Sequence, residues 1–286
     1  MPSCVWWPGV PGAPRMGSEM RALVLLAREG LRDAARRRVV PAVVGLCLLT
    51  MALVNSCTQC SPRVETSDGG VAVFEVFAWG GMAAISILAT WCVILAGLVA
   101  ADHLSSTLED GSALLVLSRP ISRRTFAFAR LLGALAVSVG AAVFVLGSTA
   151  MLLAWRGGLP LAPALLAILA TIASCMVVGS LAMVSSLYLP RIVTFLAVIG
   201  GVATIALANL MSASGVPLGE ISRLLDEMGP PILDSVIFSL RPWSGEAYDG
   251  ASMLNMLARF AVWGGGSLAT LFFLFDHREL THHESR

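Results

Sequence analysis

Long runs of apolar residues, separated by short polar segments, dominate the hydrophobic pattern of this chain. A helix needs about 20 mainly apolar residues to cross the hydrocarbon core of a bilayer, so these runs predict transmembrane helices. We therefore predict an all-α integral membrane protein with a single six-helix transmembrane domain over residues 39–276. The predicted spans are residues 39–57, 76–101, 126–155, 161–188, 191–213 and 252–275.

The sixth predicted span differs from the others because Arg259 lies near its start. Only the stretch from Phe260 to Phe275 is uncharged, which is short for a crossing. A charged side chain at this depth either snorkels to the membrane interface or lines a protected cavity. The pattern leaves both alternatives open.

Arginines are distributed unequally between the two sides of the predicted spans. With six spans both termini share one side, and the arginines near the span ends concentrate there. Because basic residues are enriched in cytoplasmic loops, we predict an N-in, C-in topology in the bacterial cytoplasmic (inner) membrane. The predicted cytoplasmic arginines are Arg21, Arg28, Arg32, Arg36, Arg37, Arg38, Arg119, Arg123, Arg124, Arg130, Arg191, Arg278 and Arg286, against Arg63, Arg156, Arg223, Arg241 and Arg259 on the other side.

The regions before the first span and after the last one are predicted to be cytoplasmic. Residues 1–19 lack the pattern of a signal peptide and are expected to be a disordered or non-native extension, with Met20 as the natural start. Residues 20–38 have leucines at helical spacing beside arginines, which predicts an amphipathic helix along the membrane surface. A basic flank without fixed geometry fits this segment equally well. Residues 277–286 are expected to be a solvated tail.

The segment between the fifth and sixth spans, residues 214–250, is the longest on the non-cytoplasmic side. An amphipathic stretch is broken by Gly229-Pro230-Pro231, and the apolar sequence PILDSVIFSL that follows is too short to cross a bilayer. We predict one or two short helices that lie on the outer leaflet or dip into it. A substrate lid and a structural cap both fit this prediction.

Composition narrows the possible functions of the chain. Hydrophobic residues make up 57% and charged residues 13%, and the mean hydropathy is +0.81, which excludes an ordinary soluble domain. The net charge is +1 and the arginines are dispersed, so no basic groove for nucleic acid is expected. The chain contains no lysine, and therefore no ordinary P-loop that could bind ATP. Any ATP must be bound by a partner subunit, and no cofactor is expected in this chain.

Few residues suggest chemistry within the predicted spans. Acids, bases and histidines are almost absent there, so neither catalytic residues nor a proton relay are predicted. Cys57 and Cys60 form a CxxC sequence that would suit a disulfide or a soft metal, but a single CxxC is weak evidence and no metal site is predicted. Hydroxyl and amide side chains such as Ser138, Thr149 and Asn209 either line a substrate path or join helices by close packing.

The segment between the second and third spans, LEDGSALLVLSRPISRRTFAFAR, combines two acids, a leucine run and arginines around one proline. Its leucines share a broad helical face, with Asp102 and Glu109 on the polar side. Pro120 ends this helix because the residue before a proline is forced out of helical geometry. A short rigid helix of this kind suits transmission of motion from a cytoplasmic partner. An interfacial loop that merely follows the positive-inside rule fits the same pattern.

The same segment resembles the signature of permease subunits of ABC-2 type ATP-binding-cassette transporters. In that signature a glutamate, Gly-Thr or Gly-Ser, a leucine pair, Pro-x-x-Arg and a further basic residue follow in order. Arg130 stands where lysine is expected, and Ser112 where threonine is commoner. The resemblance extends over nearly all of the chain from Met20 onward. The matching residues are Glu109, Gly111, Ser112, Leu114, Leu115, Pro120, Ile121, Ser122, Arg123 and Arg130.

The resemblance implies a half-transporter. Two permease chains, forming a homodimer or a pair with a paralogue, would bind two cytoplasmic ABC ATPase subunits that hold the ATP. A coupling helix between spans 2 and 3 would receive their motion, and the usual direction of transport is export, or work on a cell-envelope process. The residues expected to couple the chain to the ATPase are Asp102, Leu104, Leu108, Glu109, Gly111, Ser112, Leu114, Leu115, Pro120, Arg123 and Arg124.

A second hypothesis uses the same bundle differently. The chain would be a non-transporting membrane scaffold or assembly factor, for example in metalloenzyme maturation. Binding to an ATPase subunit, and dependence of activity on the segment between spans 2 and 3, would distinguish the two.

Overall fold

The fold was analysed in a computed structural model, which describes residues 71–109, 123–157, 159–213 and 227–277 and a few positions between 45 and 56. These residues are almost entirely helical and contain no strand, which confirms the all-α prediction for this part of the chain. The helices are α1 (Val71–Glu109), α2 (Arg123–Gly157), α3 (Leu161–Ser186), α4 (Arg191–Ala213), α5 (Ile232–Leu240) and α6 (Gly250–His277), with a 3₁₀ turn at Arg241–Ser244 between α5 and α6.

Five of the described helices, α1 to α4 and α6, are long and apolar enough to cross a membrane. They correspond to the five spans predicted from residue 76 onward. The first predicted span lies outside the described residues, apart from the helical positions Gly45, Leu48, Leu49, Ala52 and Ser56. Residues 1–38 and 278–286 also lie outside them. The crossing by residues 39–57, and with it the total of six spans, therefore remains a prediction. The orientation and the N-terminal amphipathic helix also remain predictions.

Helix boundaries follow local sequence signals. Pro160 precedes α3 with φ −64° and ψ 137°, and proline is favoured there because the first helical N–H groups lack intrahelical partners. Pro190 separates α3 from α4 in the same way. Asp249 caps α6, since its carboxylate accepts hydrogen bonds from the backbone N–H of Ala251 (3.3 Å) and of Ser252 (3.0 Å).

Consecutive long helices run in opposite directions, so the bundle has two distinct ends. At the Asp102 end, α1 and α6 finish near the starts of α2 and α4, and Asp102 forms an ion pair with Arg191. At the Trp243 end, the indole N–H of Trp243 donates a hydrogen bond to the carbonyl of Pro160 at 3.0 Å. These two names are used below for the ends of the bundle.

The core is built around α1 and α3, which pack against each other and against the other described helices. One buried cluster, near the Asp102 end, includes Leu104, Phe126 and Phe275. A second cluster, near the Trp243 end, includes Leu153 and Trp243. The two clusters together pack the bundle at both ends.

Helix α5 enters the bundle instead of lying on its surface. Its first residue, Ile232, is 2% exposed and lines an apolar cavity of about 140 Å³ together with Val178 of α3 and Ile205 of α4. Val178 lies about 26 Å along α3 from the Trp243 end, given a rise of about 1.5 Å per residue. From this depth α5 returns toward the Trp243 end, where Trp243 is buried. The predicted short helix is thus present and dips into the bundle, which favours a structural cap.

Two side chains of α6 donate hydrogen bonds to backbone carbonyls of the irregular segment that precedes α5. Arg259 donates hydrogen bonds from Nε (3.0 Å) and Nη2 (2.6 Å) to the carbonyl of Gly229, and its Nη1 lies 3.8 Å from a carboxylate oxygen of Asp234. The indole N–H of Trp263 donates to the carbonyl of Met228 at 2.8 Å. Irregular backbone at membrane depth needs such partners because lipid offers none. Arg259 therefore occupies a protected site within the protein, one of the two alternatives open from the sequence.

Candidate functional site

The predicted ATPase-coupling residues divide into three groups by position. Asp102, Leu104, Leu108 and Glu109 belong to α1, which continues without interruption from the membrane span to Glu109. Arg123 and Arg124 begin α2. The remaining predicted residues lie outside the described residues: Gly111, Ser112, Leu114, Leu115 and Pro120.

The two coupling residues of α1 with described side chains are buried. Asp102 is 9% exposed and Leu104 is fully buried, in the cluster that also contains Phe126 and Phe275. The sequence predicted that Asp102 lies on the polar side of its helix. In the structure its carboxylate faces Arg191 of another helix and is largely buried within this chain.

Asp102 forms an ion pair with Arg191, the first residue of α4. The Asp102 side chain is 13% exposed and the Arg191 side chain 44%, so the pair is partly desolvated. The guanidinium of Arg191 also lies over the ring of Phe195, 5.5 Å from its centroid. A charge pair shielded from water is stronger than one at the surface, and this one joins α1 to α4.

On the other flank of the predicted coupling segment, Arg124 of α2 pairs with Asp276 of α6. The guanidinium Nε donates to the carboxylate at 2.5 Å, and the side chains are 69% and 24% exposed. The rings of Phe126 and Phe275 stack directly beside this pair, with centroids 6.1 Å apart. The ion pair and the aromatic contact together fasten the start of α2 to the end of α6.

The two flanks of the segment between spans 2 and 3 are thus each tied to a different helix. Asp102 precedes the segment and is bound to α4, while Arg124 follows it and is bound to α6. A displacement of the segment would consequently act on α1, α2, α4 and α6 together.

Two of these four residues were not recognised as site residues in the sequence. Arg191 was only counted among the predicted cytoplasmic arginines, and Asp276 was not singled out. A signal was present at Asp276, because an acid in the last turn of a helix opposes the helix dipole and needs a compensating partner. That partner, Arg124, lies 152 positions away and could not be identified from local pattern.

Hydroxyl groups that the sequence offered as a possible substrate path are used within their own helices. Ser138 donates to the carbonyl of Ala134 at 3.0 Å, and Thr149 donates to that of Val145 at 2.9 Å. Both side chains are buried. This geometry supports the packing interpretation of these residues rather than a polar channel.

The cysteines with described side chains lie at a contact between two central helices. Cys92 of α1 and Cys175 of α3 are buried, and the Cys175 Sγ lies 3.8 Å from the Cys92 carbonyl oxygen. Both pack as small apolar residues. The CxxC pair, Cys57 and Cys60, lies outside the described residues.

The chain was compared with known protein families. The family model described as "ABC-2 family transporter protein" matches residues 24–227, which include α1 to α4 and the segment between α1 and α2. No curated protein matches the chain.

Proposed function

Because the chain belongs to the ABC-2 family of transporter proteins, we propose that it is the membrane-spanning subunit of an ABC transporter, coupled through residues 102–124 to a separate ATPase subunit. The family match and the membrane-length helices support the permease role. The proposal adds two points: a partner subunit hydrolyses ATP, and residues 102–124 of this chain receive the motion of that partner.

The observation that carries the proposal is the length of α1 and α2, the two helices that flank the segment. Helix α1 contains 39 residues and α2 contains 35. At about 1.5 Å per residue they are about 58 Å and 52 Å long, whereas a bilayer with its headgroups is about 40–45 Å thick. Both helices exceed this thickness, which supports a position outside the hydrocarbon core for the segment that joins them.

The absence of lysine supports a separate ATP-binding subunit. An ordinary P-loop needs its lysine to reach the β- and γ-phosphates, and this chain has none among its basic residues. ATP would therefore be bound and hydrolysed by a cytoplasmic partner. A cytoplasmic position for residues 102–124 agrees with the arginine distribution. We further propose that the permease chain forms a dimer and that transport proceeds as export.

Purification of the chain from its native membrane tests the proposed partnership. We expect an ABC ATPase subunit to co-purify with it. In the purified complex, spin labels on a cysteine-free background report helix movement when ATP is added. Exposed positions near the Trp243 end suit the labels: Trp79 with Leu207 reports α1 against α4, and Trp155 with Leu254 reports α2 against α6.

The role of the segment is tested by substitution in the same complex. We expect Glu109→Ala and Arg123→Glu to preserve assembly and to abolish the ATP-driven distance changes. Arg156→Glu, an exposed residue at the other end of α2, is the matched control and should leave them intact. Full ATP-driven movement after replacement of residues 105–118 by a flexible linker would refute the proposed coupling role.

A further inference from the structure

We propose that Arg191 and Asp276 are positioning residues that transmit the movement of the coupling segment to α4 and α6. This inference rests on the proposed function and assigns a role to two residues outside the predicted coupling set. The ion pair of Asp102 with Arg191 links α1 to α4, and that of Arg124 with Asp276 links α2 to α6.

The helices at the far side of these ion pairs bury less of their apolar surface within the chain than α1 does. The buried share of the apolar stretch is 28% for α4 and 11% for α6, against 56% for α1. Each helix packs on the core through one face, α4 through Val198 and Val202 and α6 through Leu271 and Phe275. The two ion pairs add specific links at the end where the coupling segment lies.

The charges of Arg191, Arg124 and Asp276 are unfavourable within their own helices and favourable only in the ion pairs between helices. Arg191 and Arg124 lie in the first turns of α4 and α2, and Asp276 lies in the last turn of α6. A cation at a helix N-terminus and an anion at a C-terminus both oppose the helix dipole, each by about 0.3–1 kcal/mol. Pairing across helices offsets this local penalty, so separating the partners would expose it again.

The two pairs also differ in a way that suits transmission. The pair at Asp102 is partly buried and therefore resists separation, whereas Arg124 is 69% exposed and can follow the coupling segment as it moves. The stacked rings of Phe126 and Phe275 keep α2 and α6 in register beside the exposed pair. A push on the segment would thus reach α4 through the buried pair and α6 through the exposed pair.

The test uses the complex with its ATPase and the two label pairs described above. We expect Arg191→Gln to reduce the ATP-driven shift between α1 and α4, and Asp276→Asn to reduce the shift between α2 and α6. A charge-assisted hydrogen bond supports about a tenfold change in the ratio of the two distance populations. ATP hydrolysis and co-purification of the ATPase should stay unchanged, which separates a transmission defect from misfolding.

Charge exchange then tests whether pairing, and not the individual residue, matters. Because Arg124 also belongs to the predicted coupling set, the variant with Arg124→Asp and Asp276→Arg is compared with Arg124→Asp alone. Restoring the pair should recover the shift between α2 and α6 that the single substitution loses. Asp102→Asn tests the buried pair with a nearly isosteric change and should match Arg191→Gln. The control is the pair of Arg241 and Glu246, 3.8 Å apart at the Trp243 end, where Glu246→Gln should have no effect.

The outcomes separate this inference from the proposed function. Unchanged ATP-driven shifts in Arg191→Gln and Asp276→Asn would overturn the inference, while loss of the shifts on linker replacement would leave the coupling role standing. Failure of the charge exchange to restore the shift would also overturn it. If linker replacement itself leaves the shifts intact, the proposed function fails, and the inference that rests on it fails with it.

Discussion

Trp263 of α6 donates its indole N–H to the backbone carbonyl of Met228 at 2.8 Å, which ties α6 to the irregular chain that precedes α5. Arg259, one turn earlier on the same helix, donates to the carbonyl of Gly229. Both carbonyls belong to irregular backbone within the bundle. Since no water is available there to hydrogen-bond them, the two side chains serve as their partners.

Removal of these donors should destabilise the bundle. We expect Arg259→Met to lower the free energy of unfolding by about 1–3 kcal/mol because it leaves the Gly229 carbonyl unsatisfied, and Trp263→Phe by about 1 kcal/mol. Thermal unfolding in detergent measures both effects. Trp91→Phe, at a position 49% exposed, is the control for loss of an indole and should change stability little. Equal stability of Arg259→Met and the unmodified protein would show that the Gly229 carbonyl does not need a hydrogen bond from Arg259.

Gly97 lies at a close contact between α1 and α4. A methyl group at Gly97 of α1 would lie 2.5 Å from Cγ1 of Val198 on α4 and 3.1 Å from Cγ1 of Val178 on α3. We expect Gly97→Ala to destabilise the protein by about 1–3 kcal/mol through overpacking. Adding Val198→Ala should recover part of the loss, since it removes the nearer methyl group. Thermal unfolding of the single and double variants provides the measurement.

Gly140 offers a matched control for this substitution. It lies within α2, and a methyl group there would contact nothing within 4 Å. Gly140→Ala should therefore be neutral or stabilising by up to about 1 kcal/mol, because alanine loses less backbone entropy in a helix. If both alanine variants behaved alike, the close approach at Gly97 would not be the cause.

Ser180 and Ser267 join α3 to α6 through a hydrogen bond between their hydroxyl groups, 2.5 Å apart. Both side chains are buried. We expect a coupling energy of about 0.6 kcal/mol from a double-mutant cycle with Ser180→Ala and Ser267→Ala, the typical size for hydrogen bonds between membrane helices. Thr270→Ala is the control, because the Thr270 hydroxyl is exposed and donates only within α6, to Gly266. Strictly additive serine variants would contradict the pairing.

The cap of α6 should make stability depend on pH in the acid range. Hydrogen bonds from the Ser252 side chain and backbone hold the pKa of Asp249 below its ordinary value. A lowered carboxyl pKa stabilises the folded state above the unfolded pKa of about 3.9, and this contribution disappears as the pH falls through the folded pKa. The melting temperature of the unmodified protein should therefore approach that of Asp249→Asn as the pH falls below about 4. A difference that stays constant with pH would contradict the assignment.

The sequence by itself determined five stretches that are long and apolar enough to cross a membrane. Length and hydropathy predicted the five helices from residue 76 onward, because a bilayer accepts only helices with an apolar surface of sufficient length. Proline and aspartate placed the starts of α3 and α6, since capping depends on residues within one turn. The family resemblance came from one segment and is confirmed by the match over residues 24–227.

Tertiary structure decided how the charged residues at the Asp102 end are used. The sequence predicted a coupling role for Asp102 and Arg124, but their ion-pair partners, Arg191 and Asp276, belong to helices distant in the chain. Likewise, the sequence pattern allowed Arg259 either to reach the membrane interface or to line a protected cavity. The tertiary structure places the carbonyl of Gly229 beside it, within the protein. Hydrophobic burial in lipid depends on local composition and can be read along the chain, whereas pairing of isolated charges depends on which helices become neighbours.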